Sequence, residues 1–377
     1  MAGKLGSLAE HFASIEDPRL DRRKRHELLE IIVIAICAFI CNCETWVDVE
    51  LFGKAKIDWF KTFLKLPNGI PSHDTFGRVF QLLNPQEFAE CFRNWMIEVC
   101  EELGLKQVAI DGKTLCGSHD GKAGKGPLHL VSAWATENGL SLGQEAVDAK
   151  SNEITAIPKL LEVLEIKGAL VTIDAMGCQK DIAAKIREQD AHYMLAVKGN
   201  QERLHQDIAD FVQTAMETDF AGVDHTYHDC TEKNHGRNEF RSCYVINDVS
   251  MIRDLKLWKD VKSVVVVFTN RTVKGKESCE IRYYICSRVL AAKTAAAYAR
   301  NHWAIENSLH WVLDVIFDED GSRVRKDHAP ENMALLRRIA MTILKQSGAK
   351  QSIRAQRKMA GWENSFLEAM LRKFLGI

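Results

Sequence analysis

The chain has 377 residues, long enough for two or three domains that each bury a core. Hydrophobic residues make up 46% and charged residues 27%, the balance of a soluble globular protein. A net charge of −1 gives no general attraction to nucleic acid, so any surface for phosphates must arise from local clustering. The 11 cysteines are odd in number and have no repeating spacing, which argues against a disulfide framework and for a reducing cytoplasm.

Met1 to Glu10 shows no basic, apolar and cleavage-site succession, so no signal peptide is expected. The most apolar run, Ile31 to Cys41, lies between Glu30 and Glu44 and falls short of the roughly 20 residues that span a bilayer. It reads as a buried helix. Residues 1–104 form a helical N-terminal region. Leu28, Leu29, Ile32, Ile36 and Phe39 recur at helical spacing, as do Phe76, Val79, Phe80 and Leu83. Ser72 and Thr75 after Pro71 mark a helix start, and Pro85 lies near that helix's end. The basic cluster Arg22-Arg23-Lys24-Arg25-His26 reads equally as a solvated helix start or as a phosphate-contacting surface.

Residues 105–213 change character. Val108-Ala109-Ile110 is a strand ending at Asp111-Gly112. Leu128 to Ala135 and Leu140 to Val147 flank Asn138-Gly139, a strong hairpin signal. A helix over 153–164, a strand over 169–173 ending at Asp174, a helix over 180–189 and a strand over 193–197 complete an α/β pattern. In residues 214–290 strand signals dominate, at 243–246, 264–269 and 281–285, and read as a β-rich insertion. Residues 291–377 are helical again, with Ile305, Leu309, Val312 and Ile316 in one apolar stripe.

Three acidic residues stand out. Asp111 and Asp174 each close a strand, and strand carboxyl ends are where sites form in open α/β sheets. Two carboxylates brought together there repel unless a cation lies between them. An aspartate after a strand is also an ordinary turn or helix-cap residue. Glu306, in His302-Trp303-Ala304-Ile305-Glu306-Asn307-Ser308-Leu309-His310-Trp311, lies beside the apolar stripe, with His310 one turn on. Charged helix residues usually face solvent, but two flanking tryptophans argue against plain exposure.

The blocks Val108 to Thr114, Lys150 to Pro158 and Thr172 to Lys180 resemble successive motifs of the bacterial H-repeat-associated insertion-sequence transposases. Lys198-Gly199-Asn200-Gln201, His235-Gly236-Arg237, the Glu306 block, Leu313-Asp314-Val315 and Phe317 through Arg325 continue the match in order, over essentially the whole chain. The resemblance implies a ribonuclease-H-like core of the retroviral-integrase superfamily, with a DDE triad that falls on Asp111, Asp174 and Glu306. Asp174 follows Asp111 by 63 residues, and Glu306 follows Asp174 by 132, a span lengthened by the insertion. Related transposases carry a Tyr, an Arg and a Lys around the glutamate. Here His302 and Leu313 occupy two of the matching positions, so that signature is absent and Arg300, His302 and His310 are the substitute phosphate contacts.

The family implies metal-dependent cleavage and strand transfer of DNA at insertion-sequence ends in the cytoplasm. The three carboxylates would hold Mg2+ or Mn2+, hard cations that take oxygen ligands. Two such ions about 4 Å apart serve hydrolysis by water and attack by a DNA 3′-hydroxyl alike. The partners implied are double-stranded DNA (terminal inverted repeats and target) and a second copy of the chain. Candidate DNA contacts are Lys198, Arg237, Arg300, His310, Arg323 and Arg325. Residues 321–360 hold ten Lys or Arg against Asp327 and Glu331, a local excess of +8 that attracts phosphate. His225, His228, Cys230, His235 and Cys243 lack paired Cys-x-x-Cys spacing and read as structural or phosphate-contacting rather than as a zinc site. Two rival readings share the same core: a nuclease that cleaves without strand transfer, and an inactive relic that only binds DNA.

Overall fold

The computed structural model describes residues 8–121, 124–148, 151–234, 237–250 and 252–375. Six helices come first: α1 (Leu8–Phe12), α2 (Leu28–Ile40), α3 (Trp46–Ala55), α4 (Ile57–Phe60), α5 (His73–Leu82) and α6 (Pro85–Leu103). The apolar run is a helix, and every residue from Ile31 to Ile40 is buried, so α2 is apolar on all sides because it has no solvent face. Thr45 and Asp48 close a capping box on α3. The Ser72 hydroxyl accepts the Thr75 N–H at the start of α5. Pro85 stands at the first turn of α6, where its missing N–H costs nothing. Trp46 stacks on Phe80 with ring centres 4.8 Å apart.

The core follows as β1 (Gln107–Leu115), β2 (Leu128–Ala135), β3 (Leu140–Ala146), α7 (Glu153–Glu162), β4 (Leu170–Ile173), α8 (Lys180–Glu188), β5 (His192–Val197) and α9 (Glu202–Glu217). Then come β6 (His225–Asn234), β7 (Arg237–Ile246), β8 (Ser263–Val273) and β9 (Lys276–Cys286). Helices α10 (Ala292–His302), α11 (Trp311–Phe317), α12 (Ala329–Gln346), α13 (Ile353–Trp362) and α14 (Asn364–Leu375) end the chain. No helix among the described residues is long and apolar enough to cross a membrane.

All nine strands form one sheet in the order β3-β2-β1-β4-β5-β9-β8-β7-β6. The first five have the strand order expected of a ribonuclease-H-like core: an antiparallel meander β1-β2-β3, with β4 parallel to β1 and β5 parallel to β4. Asn138-Gly139 turns the β2–β3 hairpin, and Gly139 has φ +68, a conformation costly for any side chain. The β-rich insertion pairs antiparallel through β9 with β5 and so lengthens the core's own sheet. Helix α9 runs through position 214 because Leu204, Ile208, Val212 and Ala215 recur at helical spacing and are buried.

The ladder between β1 and β4 stops at Ile110–Ile173, whereas β1 continues beside β2 to Leu115. From Asp111 onward, β1 therefore has no strand partner on its β4 side. The C-terminal helices lock onto this strand through buried charge. Lys113 lies 2.5 Å from Asp314 and 3.2 Å from both Glu319 and Asp320, and Glu319 also meets Arg338 at 3.0 Å. Burial disfavours the Lys113 ammonium, yet Glu319, Asp314 and Asp320 hold its proton more tightly than usual.

Arg337, Arg338 and Arg357, counted above among surface charges, are wholly buried. Arg337 donates to the Phe317 carbonyl at 3.3 Å, and Arg357 donates to the Phe39 carbonyl at 3.0 Å and to Glu44 at 2.7 Å. The excess of +8 thus overstates the charge this region presents to solvent. Removing one partner of a buried ion pair strands the other without compensation. Arg338→Met is expected to lower the unfolding free energy by about 3–5 kcal/mol, read from urea denaturation. An unchanged midpoint would show that the network does not hold these helices to β1.

Candidate active site

Asp111 stands within β1 at the first position past its pairing with β4, and Asp174 follows the last residue of β4. The two lie side by side where the parallel β1–β4 ladder ends. Oδ1 of Asp174 accepts the backbone N–H of Met176 at 3.0 Å and of Gly177 at 3.3 Å. The turn-capping role and the strand-end position therefore coexist, and the turn fixes how this carboxylate is presented.

Glu306 arrives on the helical segment between α10 and α11. Residues Glu306–His310 form one π-helical turn, closed by the Trp311 N–H on the Glu306 carbonyl. Such wide turns change which side chains share a face and occur often at functional sites. Glu306 is exposed, while Ile305, Leu309 and His310 are buried. His310 therefore does not share the face of Glu306. Its Nδ1 lies 3.6 Å from Oδ2 of Asp111, and its buried Nε2 has no hydrogen-bond partner among the described residues. Burial, with Arg338 and Lys113 nearby, pushes the His310 ring down to about 3. It is a neutral group packed against Asp111, not a surface contact for phosphate.

Burial also pushes the Asp111 carboxyl up to about 7, against the opposing Gly112 N–H, and the charges of Asp174, Glu153 and Glu306 push the same way. Glu306 is raised by burial as well. Acidic groups distant in sequence thus act on one another at the open end of β1. No three His, Cys, Asp or Glu side chains among the described residues form an assembled metal cage, either here or around His225, His228, Cys230 and Cys243. The donor set at β1 is nevertheless all oxygen and mutually repulsive, which is the chemistry a hard divalent cation fits.

A hydrogen-bonded group behind the site sets its shape. His302 meets Thr172 Oγ1 at 3.1 Å, and Gln107 Nε2 donates to Thr172 Oγ1 at 3.1 Å and to the Tyr298 carbonyl at 2.9 Å. These bonds tie α10 to β1 and β4. Burial pushes the His302 ring down to about 4, so it too is neutral.

The candidate DNA contacts separate. Arg300 is half exposed and donates to Glu232 at 2.8 Å. It lines a cleft of about 620 Å³ between the insertion's sheet and α10, with Arg241, Arg271, Arg282 and Trp303, and the cleft reaches Asn307 and Ser308 beside Glu306. The sequence reading missed the three insertion arginines, because strand spacing alone does not tell which edge of a sheet meets a helix. Lys198 is exposed at the end of β5, and its charge reaches Glu280. Arg323 is exposed, whereas Arg325 is partly buried and donates to the Gly117 carbonyl at 3.3 Å. His235, Gly236 and the side chains of Arg23 and Arg237 lie outside the described residues. Trp303 and Trp311 are 40% and 52% exposed, so the flanking tryptophans do not bury this turn. Arg282 stacks on Trp303 at 4.9 Å.

The Asp111 shift predicts a pH dependence in metal-free buffer. The folded carboxyl titrates about 7 and the unfolded one about 3.9, so between these values the folded state holds a proton that unfolding releases. The contribution of Asp111 to stability is therefore lost as pH rises through that window. Asp111→Asn does not titrate, and its stability relative to wild type should climb from pH 5 to 7 and then level off. Calorimetric melting in chelator at several pH values measures this; a constant difference would mean that Asp111 titrates as an ordinary carboxylate.

The profile of the transposase DDE domain matches residues 98–343, and that of its associated N-terminal region, DDE_Tnp_1-associated, matches residues 9–96. The H repeat-associated protein YhhI of Escherichia coli (strain K12) is 39% identical over 374 residues, covering 98% of both chains. YncI of Escherichia coli O157:H7 is 40% identical over 370 residues, covering 97% of this chain and 94% of its own. A piggyBac transposase synaptic complex with hairpin DNA aligns at a TM-score of 0.42 and 11% identity, covering 98% of this chain and 77% of that one. On the extent of these matches, the chain belongs to the H-repeat-associated DDE transposases.

Proposed function

We propose that this DNA transposase performs divalent-metal-dependent cleavage and strand transfer at the ends of its insertion sequence, with Asp111, Asp174 and Glu306 as the cation-holding triad. One observation supports the reading: Asp111 and Asp174, 63 residues apart in sequence, stand side by side where the parallel β1–β4 ladder ends, and the charges of Asp174 and Glu306 both push the Asp111 carboxyl up. Strong perturbation of this kind, by burial plus specific charged neighbours, marks functional sites.

Bound Mg2+ or Mn2+ supplies activation of the attacking oxygen and stabilisation of the leaving one. The chain's own residues do the rest. The turn at Met176 and Gly177 holds Asp174 in one orientation, and the π-helical turn frees Glu306 to face solvent while His310 packs behind Asp111. Arg241, Arg271, Arg282 and Arg300 line the adjoining cleft, each paired with Glu232, Glu239 or Glu280, and a phosphate backbone would compete with those glutamates for the guanidinium groups, with Trp303 as a stacking surface. An insertion sequence has two ends, so joining both calls for two copies of the chain.

Asp174→Asn tests the triad. The change keeps volume and turn-capping ability but removes a hard-cation ligand. Cleavage of end-containing DNA in magnesium should fall at least a hundredfold while metal-free DNA binding persists. Activity within a few-fold of wild type would remove Asp174 from the site. Joined products on a labelled end substrate distinguish transposition from plain nuclease action.

The cleft makes a separate prediction. Arg300→Ala should flatten the slope of log affinity against log salt by about 0.9 if its one phosphate contact is lost. An unchanged slope would place the DNA elsewhere.

A further inference from the structure

Gly112 follows Asp111 on β1, and it cannot carry a side chain. A Cβ there would fall on Oε1 of Glu153 and within 2.7 Å of Nε2 of His129. The Glu153 carboxylate thus lies against the Gly112 backbone, on the face of β1 opposite the Asp111 side chain and at the stretch where β4 no longer pairs with the strand. Its place is fixed from three sides. Asn152 caps α7 by accepting the Ile154 N–H at 3.1 Å, which sets Glu153 at the first helical position. Nε2 of His129 lies 2.7 Å from Glu153 Oε1, and Nδ1 of the same ring lies 2.7 Å from Thr114 Oγ1. Thr114 and His129 are paired residues of β1 and β2, so this string is anchored in the sheet itself.

We propose that Glu153 is a fourth carboxylate of the acidic centre, a ligand to the divalent cations beside Asp111, and that His129 is its positioning residue. The inference rests on the reading of Asp111, Asp174 and Glu306 as the triad. The argument is one of charge and place. Glu153 is largely buried, with 16% of its side chain accessible, and sits where β1 has lost its β4 neighbour. Its carboxylate and that of Asp111 flank the unpaired stretch of β1 from the two faces of the strand, where a cation at that edge would be shared by both. A carboxylate in the first turn of α7 gains from the helix dipole and from His129, but neither role requires it to lie against the strand that carries Asp111. Two dications carry +4, the triad supplies −3, and Glu153 brings the site to balance before the phosphate arrives. The chain needs the small residue at 112 for the same purpose, because any larger one displaces the fourth carboxylate.

The test is Mn2+ binding to the full-length chain, measured by titration calorimetry without DNA, for wild type, Glu153→Gln, Glu153→Asp, His129→Gln and Asp174→Asn. Glu153→Gln keeps volume and a hydrogen bond to His129, so a structural role alone leaves Mn2+ affinity unchanged. The expected result is a loss of about tenfold to a hundredfold for Glu153→Gln. Glu153→Asp and His129→Gln should fall between it and wild type, and the metal-free melting temperature of Glu153→Gln should hold or rise. Wild-type Mn2+ affinity in a folded Glu153→Gln overturns the proposal while leaving the triad intact, provided Asp174→Asn loses binding. Should Asp174→Asn also bind normally, the triad reading itself fails. If Glu153→Gln does not fold, Glu153→Asp decides by the same affinity measurement.

Discussion

The site depends on a match of pitch between a helix and a strand. His310 faces Asp111 and Asp314 faces Lys113, so four helical residues run beside two strand residues. Four residues of helix rise about 6 Å and two of strand about 6.6 Å, so the two elements stay in step. Asp111 and Lys113 point to the same face because strand side chains alternate. The helix that bears Glu306 is thereby laid along β1, although most of the core and the whole insertion lie between them in sequence. Lys113 is the fastener: its single ammonium gathers Asp314, Glu319 and Asp320, and Arg338 closes the group from α12.

That fastening also carries the N-terminal helices. Helix α12 packs on α2, and Asn332 donates to the carbonyls of Phe80 and Leu83 at 2.9 Å each. Arg357 bridges to Glu44 and to the Phe39 carbonyl, and Trp59 donates to Glu368 at 2.7 Å. The first hundred residues therefore share one hydrophobic cluster with the core sheet. On the other side, the insertion adds four strands to the β5 edge, and α10 covers their inner face over Cys243, Val265, Val267 and Tyr284. An exposed edge at β5 would invite pairing with another chain. The extension removes that edge and sets the arginine-lined cleft next to Glu306.

Local signals in the sequence carried the elements well. The all-apolar run, the Asn138-Gly139 turn and the strand end at Asp174 appear where hydrophobic period and turn chemistry put them, whereas β1 runs on past Asp111 to Leu115 because β2 keeps pairing with it. What depends on packing between distant segments was not legible. Arg337, Arg338 and Arg357 look like surface charge until Glu319, Glu44 and two backbone carbonyls surround them. Spacing put Glu306 and His310 on one face, but a π-helical turn inserts an extra residue and separates them. Trp303 and Trp311 suggested a covered helix and are open to solvent. Glu153 stood in view inside the Lys150 to Pro158 block, yet only the missing side chain of Gly112 reveals what it lies against.

The two histidines explain how the centre keeps its charge. A cation-binding site needs carboxylates that are held but not neutralised, because a lysine or arginine within reach would compete for the place of the metal. The Lys113 ammonium, two residues on along the same face of β1, is already shared among Asp314, Glu319 and Asp320. Besides His129, which holds Glu153, the groups that touch the site are His302, through Thr172, and His310, beside Asp111. Burial keeps both rings neutral above about pH 5, with His302 pushed down to about 4 and His310 to about 3. Neutral rings can orient and pack without lending positive charge. On the proposed reading the negative potential beside Asp111 is thereby left for an incoming cation, and the same burial that keeps the histidines neutral raises Asp111.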